Sequence, residues 1–262
     1  MHDRNIKLVV EYDGTEFAGW QVQPGERTVQ GVLEGALSDL AGEETRLTGA
    51  GRTDAGVHAL GQVANARTCL ELPVGDVKRA INARLPDDVL VTDVSDVPAS
   101  FHARFDATSR AYLYLMSGLQ SPLWRRNRWF VRYKLDLPAM RAALETLAGE
   151  HDFGSFCLTG SEPAHQRCRV AHISLECHGE IGDLIVLRVT ANRFLRGMVR
   201  SIVGTLVEVG RGRITATEFE SILNARDRSA AGPTAPPWGL YLQEVRYDQE
   251  GELEDIPGHG EH

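Results

Sequence analysis

Apolar and polar positions along the chain alternate between two periods. Residues 6–12 form an apolar run ending at Asp13 and Gly14, the pattern of a buried strand followed by a turn. Val29, Val32, Leu33, Ala36, Leu37 and Leu40 then recur at helical spacing, with Thr28 placed to cap them. Strands are predicted over 45–48 and 57–67, a helix over 74–84 stopped by Pro86, and a strand over 89–97. The second half repeats this alternation: strands at 111–117 and 128–133, a helix at 138–148, strands at 170–177 and 184–191, and a helix at 194–209. No residue-level internal repeat accompanies it.

The pattern predicts an α+β fold of two ferredoxin-like (RRM-like) α/β units, each with a mainly antiparallel sheet, flanking a central cleft. The polar run after Phe105 sets the boundary, giving an N-terminal unit over 1–105 and a C-terminal unit over 106–247. Residues 248–262 hold six acids and no Lys or Arg, and read as a disordered acidic tail.

A chain of 262 residues with 42% hydrophobic content has ample material for a core. No window approaches the ~18 apolar residues of a membrane span, and the amino end lacks the form of a signal peptide, which points to the cytoplasm. Cys69, Cys157, Cys168 and Cys177 show no paired spacing and are expected to be reduced thiols.

The net charge of −8 argues against a nucleic-acid partner until it is mapped. Between Phe101 and Lys134, Arg104, Arg110, Arg125, Arg126, Arg128, Arg132 and Lys134 face a single acid, Asp106; between Arg188 and Arg213, six arginines face Glu208 alone. Two basic stretches therefore sit within an acidic chain, and guanidinium forks suit phosphates and stacked bases.

Several motifs suggest chemistry. Gly49 and Gly51 begin a dinucleotide fingerprint, but Asp54 occupies the third glycine's place and would repel a pyrophosphate. Asp13-Gly14-Thr15 after an apolar strand resembles an aspartyl-phosphatase start, yet Glu11 stands where the nucleophile belongs, one methylene too long. Cys157, His165, Cys168, His172, Cys177 and His178 lie close together without the C-x-x-C spacing of structural zinc, so packed thiols and ordinary histidines explain them better.

In GAGRTDAGVHA, residues 49–59, an arginine and a carboxylate stand among small residues that let a backbone turn tightly and a ligand approach closely. Taken with EYDGTEFAGWQ from Glu11, SRAYLYLM from Ser109, ANRFLRGMVRSIVG from Ala191 and GPTAPPWGLYL from Gly232, it resembles the tRNA pseudouridine synthase A (TruA) family over nearly the whole chain. The resemblance implies a pseudouridine synthase fold and an isomerase that converts uridines 38 to 40 of the tRNA anticodon arm to pseudouridine. It further implies no cofactor, no metal, and a homodimer. It places the catalytic role on Asp54, base contact on Tyr112 of the R-x-Y motif, displacement of the base on Arg52, and support of the carboxylate on Arg200. ANRFLRGMVR lacks the aromatic and histidine that family members often carry before the methionine, which leaves the roles of Arg193 and Arg196 open.

The residue chemistry is compatible with that reading. Moving ribose from N1 to C5 of uracil needs one carboxylate to attack C1′ or take the C2′ proton; glycoside hydrolysis needs a second acid and an admitted water. A carboxylate in a water-poor pocket takes up a proton unless a cation holds it ionised, a task suited to Arg200, whose neighbours Val199, Ile202 and Val203 predict a half-buried site. Tyr112 and Tyr114 alternate with Leu113 and Leu115, a pattern that by itself favours core packing over base stacking; the family position reverses that order. A catalytically idle RNA-binding module of the same fold is the competing reading.

Overall fold

A computed structural model describes residues 4–158, 166–179 and 183–248. Ten strands and five α-helices follow in the order β1 (Arg4–Tyr12), α1 (Val29–Ala41), β2 (Leu47–Gly49), β3 (His58–Thr68), α2 (Val74–Asn82), β4 (Val89–Val97), β5 (Ala107–Ser117), β6 (Trp129–Phe130), α3 (Leu137–Glu145), β7 (Gly149–Asp152), β8 (Arg167–His178), β9 (Leu184–Ala191), α4 (Met198–Gly210), α5 (Ala216–Ala225) and β10 (Leu240–Tyr247). All described strands belong to one sheet, β4-β1-β3-β10-β5-β9-β8-β7, with β2 beside β3 and β6 beside β5. Its pairings are antiparallel except β3 with β10 and β5 with β6.

The mixed α+β class and the mostly antiparallel sheet therefore match expectation. One sheet nevertheless runs through both halves, because the last strand crosses back to pair with β3 (Tyr241 with His58, Leu242 with Ala59) and with β5. A single row of paired residues crosses seven strands: Val89, Tyr12, Ala59, Leu242, Tyr112, Val189 and Ile173. That row sets Tyr12 and Tyr112, a hundred positions apart in the chain, on either side of the small Ala59 and Leu242.

Helix α1 forms where its apolar spacing places it. The Thr28 hydroxyl accepts from the Gly31 amide and Gly42, at φ +69°, closes the other end; Leu33 and Leu37 are fully buried. In the C-terminal half, α3, α4 and α5 pack on one another around Met140, Leu206 and Phe219, all without exposed surface.

Three expectations need correction. The predicted strand at 128–133 shrinks to two residues: β10 occupies this edge of β5 as far as Tyr114, where its first residue Leu240 pairs, and β6 pairs only with Met116 and Ser117 beyond it. The helix predicted to begin at 194 begins at Met198, because Gly197 turns left-handed (φ +67°) and the Arg196 carbonyl is taken by the Leu158 amide. Helix α5 was not foreseen, although Thr215-x-x-Glu218 is a capping box with both reciprocal bonds made. The acidic tail beyond Asp248 and His165 of the zinc candidate lie outside the described residues.

Candidate active site

The GAGRTDAGV stretch is the β2–β3 connection. Its turn closes through the Val57 amide on the Asp54 carbonyl, with Gly56 at φ +76° in the third position, as a type II turn requires. The loop is gripped from several sides. Trp20 donates its amide to Thr53 and Gly56 donates to Phe17, so residues 17–20 run against 53–56. The buried Tyr12 hydroxyl meets the Thr53 hydroxyl at 2.8 Å, and the Gln62 amide donates to the Gly51 carbonyl at 2.8 Å. His58, buried at the start of β3, accepts the Gly14 amide at Nδ1 and turns Nε2 toward the carbonyls of Arg126 and Trp238, joining three loops around the turn.

Not every glycine in the stretch is needed. A Cβ on Gly49 would lie 2.5 Å from the indole nitrogen of the buried Trp20, whereas one on Gly51 would meet nothing within 4 Å. Gly49→Ala is therefore expected to destabilise the protein by about 1–3 kcal/mol, the cost of overpacking a core, and Gly51→Ala to change stability little. Urea unfolding of the two variants measures the contrast.

Across the sheet, Asp54 meets Arg200 from the first turn of α4: Nη1 donates to the carboxylate at 3.0 Å, with the side chains 29% and 16% exposed. The half-buried position expected of Arg200 is what the fold provides. Its Nε donates to the Ala235 carbonyl at 2.8 Å while the Ala235 amide donates to the Arg200 carbonyl, so α4 and the loop before β10 fix the guanidinium together. That loop can lie so close because Gly204 has no Cβ to strike Pro233, and Pro237 packs against Gly56 in the Asp54 turn. The GPTAPPWGL segment is thus a wall of the site.

Tyr112 stands on the β5 row, 9% exposed, its ring edge-on to Phe194 at 4.8 Å. It belongs to the core and to the site at once. Burial pushes its phenol up to about 12, with Arg110 lowering it and the Asp54 carboxylate raising it, so the hydroxyl is protonated at neutral pH. Arg52 is exposed at the rim, and its guanidinium makes no hydrogen bond or ion pair among the described residues.

Sequence reasoning counted Arg110 among the basic residues of an RNA face, but the structure gives it a different task. Its guanidinium donates to the carbonyls of Ala50, Arg104, Ala107 and Asn192, clamping the start of the Asp54 loop to β5 and to the β9 exit. Burial lowers its pKa, though a guanidinium keeps its charge at neutral pH. As the arginine of the R-x-Y motif it stands two residues before Tyr112, on the same strand face. Phe194, too, passed unremarked inside ANRFLRG.

The basic stretches are partly consumed within the protein. Arg126 pairs with Glu16 at 3.2 Å, Arg211 and Arg213 with Glu208, and Arg128 lies on the Trp124 ring at 4.3 Å. Arg193 and Arg196 are exposed on the turn before α4.

The rejected motifs are resolved by the same geometry. Gly51 leads into a turn and a strand rather than a helix, so no helix N-terminus receives a pyrophosphate there. Asp13 accepts the Thr15 amide at 3.0 Å and hydroxyl at 2.6 Å, capping a 3₁₀ turn. Among the described residues no group of His, Cys, Asp and Glu could hold a metal ion.

A family model described as tRNA pseudouridine synthase matches residues 8–106 and 143–248. Among curated proteins, the tRNA pseudouridine synthase A of Caldicellulosiruptor saccharolyticus is 42% identical over 246 residues, covering 93% of this chain and all of the relative. That of Geotalea daltonii is 44% identical with the same coverage, and that of Halalkalibacterium halodurans 45% identical over 90% of each chain.

Proposed function

Because the chain belongs to the tRNA pseudouridine synthase family, we propose that it isomerises uridine to pseudouridine in tRNA, at positions 38 to 40 of the anticodon arm, with Asp54 as the catalytic group. The observation that carries this reading is the Asp54–Arg200 pair, drawn together over 146 residues of chain beside a buried tyrosine. In the reaction the N1–C1′ bond breaks, the uracil turns, C5 bonds to C1′, and the C5 proton leaves while N1 gains one. Asp54 serves by attacking C1′ or by taking the C2′ proton; either use requires a carboxylate at a fixed position, and the turn, the Arg200 fork and Ala235 supply that fixity.

A uridine inside a stem or stacked loop is extruded before it reacts, at a cost of a few kcal/mol. Arg52, exposed two residues before Asp54 and without an internal partner among the described residues, displaces the base and fills its place. Tyr112 receives the base, its protonated hydroxyl serving as donor and its ring as an apolar face. Arg200 sets positive charge beside the carboxylate.

The strand orders β4-β1-β3-β2 and β10-β5-β9-β8 support two ferredoxin-like units, 1–105 and 106–247, with the site where they meet, and the interruption of the family match after residue 106 agrees with that boundary. A homodimer working in the cytoplasm completes the proposal; no helix among the described residues is long and apolar enough to cross a membrane. The test is tritium release from tRNA carrying C5-tritiated uridine. The enzyme must exchange that hydrogen, a binding module cannot, and absence of release would overturn the assignment.

A further inference from the structure

Phe105 is an aromatic ring held out in solvent. It is 73% exposed, although the segment carrying it is closed by four internal hydrogen bonds. Residues 102–106 form a closed turn: the His102 amide donates to the Asp106 carboxylate at 2.8 Å, the Asp106 amide donates to the His102 carbonyl at 3.1 Å, and the amides of Arg104 and Phe105 both donate to His102 Nδ1, at 3.2 and 3.3 Å. With Nδ1 accepting twice, the ring proton sits on Nε2, which remains a donor. The imidazole lies against the Phe105 ring at 4.3 Å, and the Arg104 guanidinium reaches over it at 5.4 Å.

This turn is also joined to the catalytic loop. Arg110 Nη2 donates to the Arg104 carbonyl at 2.7 Å and to the Ala50 carbonyl at 3.0 Å, so one nitrogen ties the Phe105 turn to the residue four positions before Asp54. Those four residues span at most about 14 Å. The Phe105 turn is thereby tied to the loop that carries Arg52; Arg52 and Arg104 are both exposed, and the Asp106 carboxylate is already engaged by a backbone amide. An open aromatic face backed by an imidazole and flanked by guanidinium groups suits a nucleobase with its phosphate.

Resting on the RNA-isomerase reading above, we propose that Phe105 is a stacking platform for an unpaired base flanking the target uridine, with Arg104 and His102 Nε2–H facing that nucleotide's phosphate. Stacking an adjacent base holds open the gap left by the extruded uridine, and the Arg110 bridge keeps platform and catalytic turn at a constant separation.

The test measures tRNA binding and tritium release for Phe105→Ala, Phe105→Leu, Phe105→Tyr and Phe105→Trp in the full chain. The first two are expected to weaken tRNA binding and raise KM about ten-fold with kcat within about two-fold, the loss typical of one stacked base. The two aromatic variants are expected to retain wild-type values, and Phe105→Trp to show tryptophan quenching on tRNA addition beyond that of the wild type. Rescue by leucine would make the role one of apolar bulk and would overturn the proposal. So would unchanged binding by the alanine variant, or loss of a dimer in sedimentation with RNA binding intact, which would assign the ring to a subunit contact. Wild-type protein that binds tRNA without releasing tritium would sink the isomerase reading while leaving the stacking measurements decisive; wild-type protein that does neither would sink both.

Discussion

Asp54→Asn is expected to lower tritium release by at least about a thousand-fold, roughly 4 kcal/mol of barrier, while leaving tRNA affinity and thermal stability close to wild type. An amide has nearly the shape of the carboxylate but can neither attack C1′ nor accept the C2′ proton. The turn itself depends on the Asp54 backbone carbonyl, which the substitution keeps, and the lost side-chain contact is a partly exposed ion pair. Single-turnover release with excess enzyme separates chemistry from binding. Retention of full activity would remove Asp54 from the reaction.

Arg200 should show the second-largest effect. Arg200→Ala is expected to cost about a hundred-fold in kcat, roughly 2.7 kcal/mol, in the range seen when a preorganised charge is removed from a reacting centre. Arg200→Lys should recover little of it. The guanidinium uses Nε for the Ala235 carbonyl and Nη1 for Asp54, two directions on one rigid plane, and a single ammonium reproduces only one of them. A change confined to KM, or full rescue by lysine, would reduce Arg200 to a surface charge for RNA.

The elements with strong periodicity were legible from the chain. Strands 89–97 and 184–191 occupy the residues foreseen, and α1 has its foreseen cap. What could not be read was non-local. The pattern gives no hint that β10 inserts between β3 and β5, because two paired residues against β3 decide it. For the same reason the strand at 128–133 was overextended: its length is set by the room left on β5, not by its own apolar residues. Within the site, Asp54, Arg52, Tyr112 and Arg200 were named from motifs, but the supports were not. Tyr12 looked like the end of a strand, Arg110 like one more base in a charged run, and His58 like a residue after a glycine turn. Each acts through a partner more than forty positions away, a distance at which local pattern carries no information.

The seam made by β10 also has a consequence in time. Translation delivers the acid long before the guanidinium, and the strand that fastens the two halves comes later still. A growing chain on the ribosome can fold its first portion early and yet present only one half of the proposed reaction centre. Competence toward RNA thus arrives in one late step, when the last strand slots in, and a lesion in that strand should silence a carboxylate it never touches.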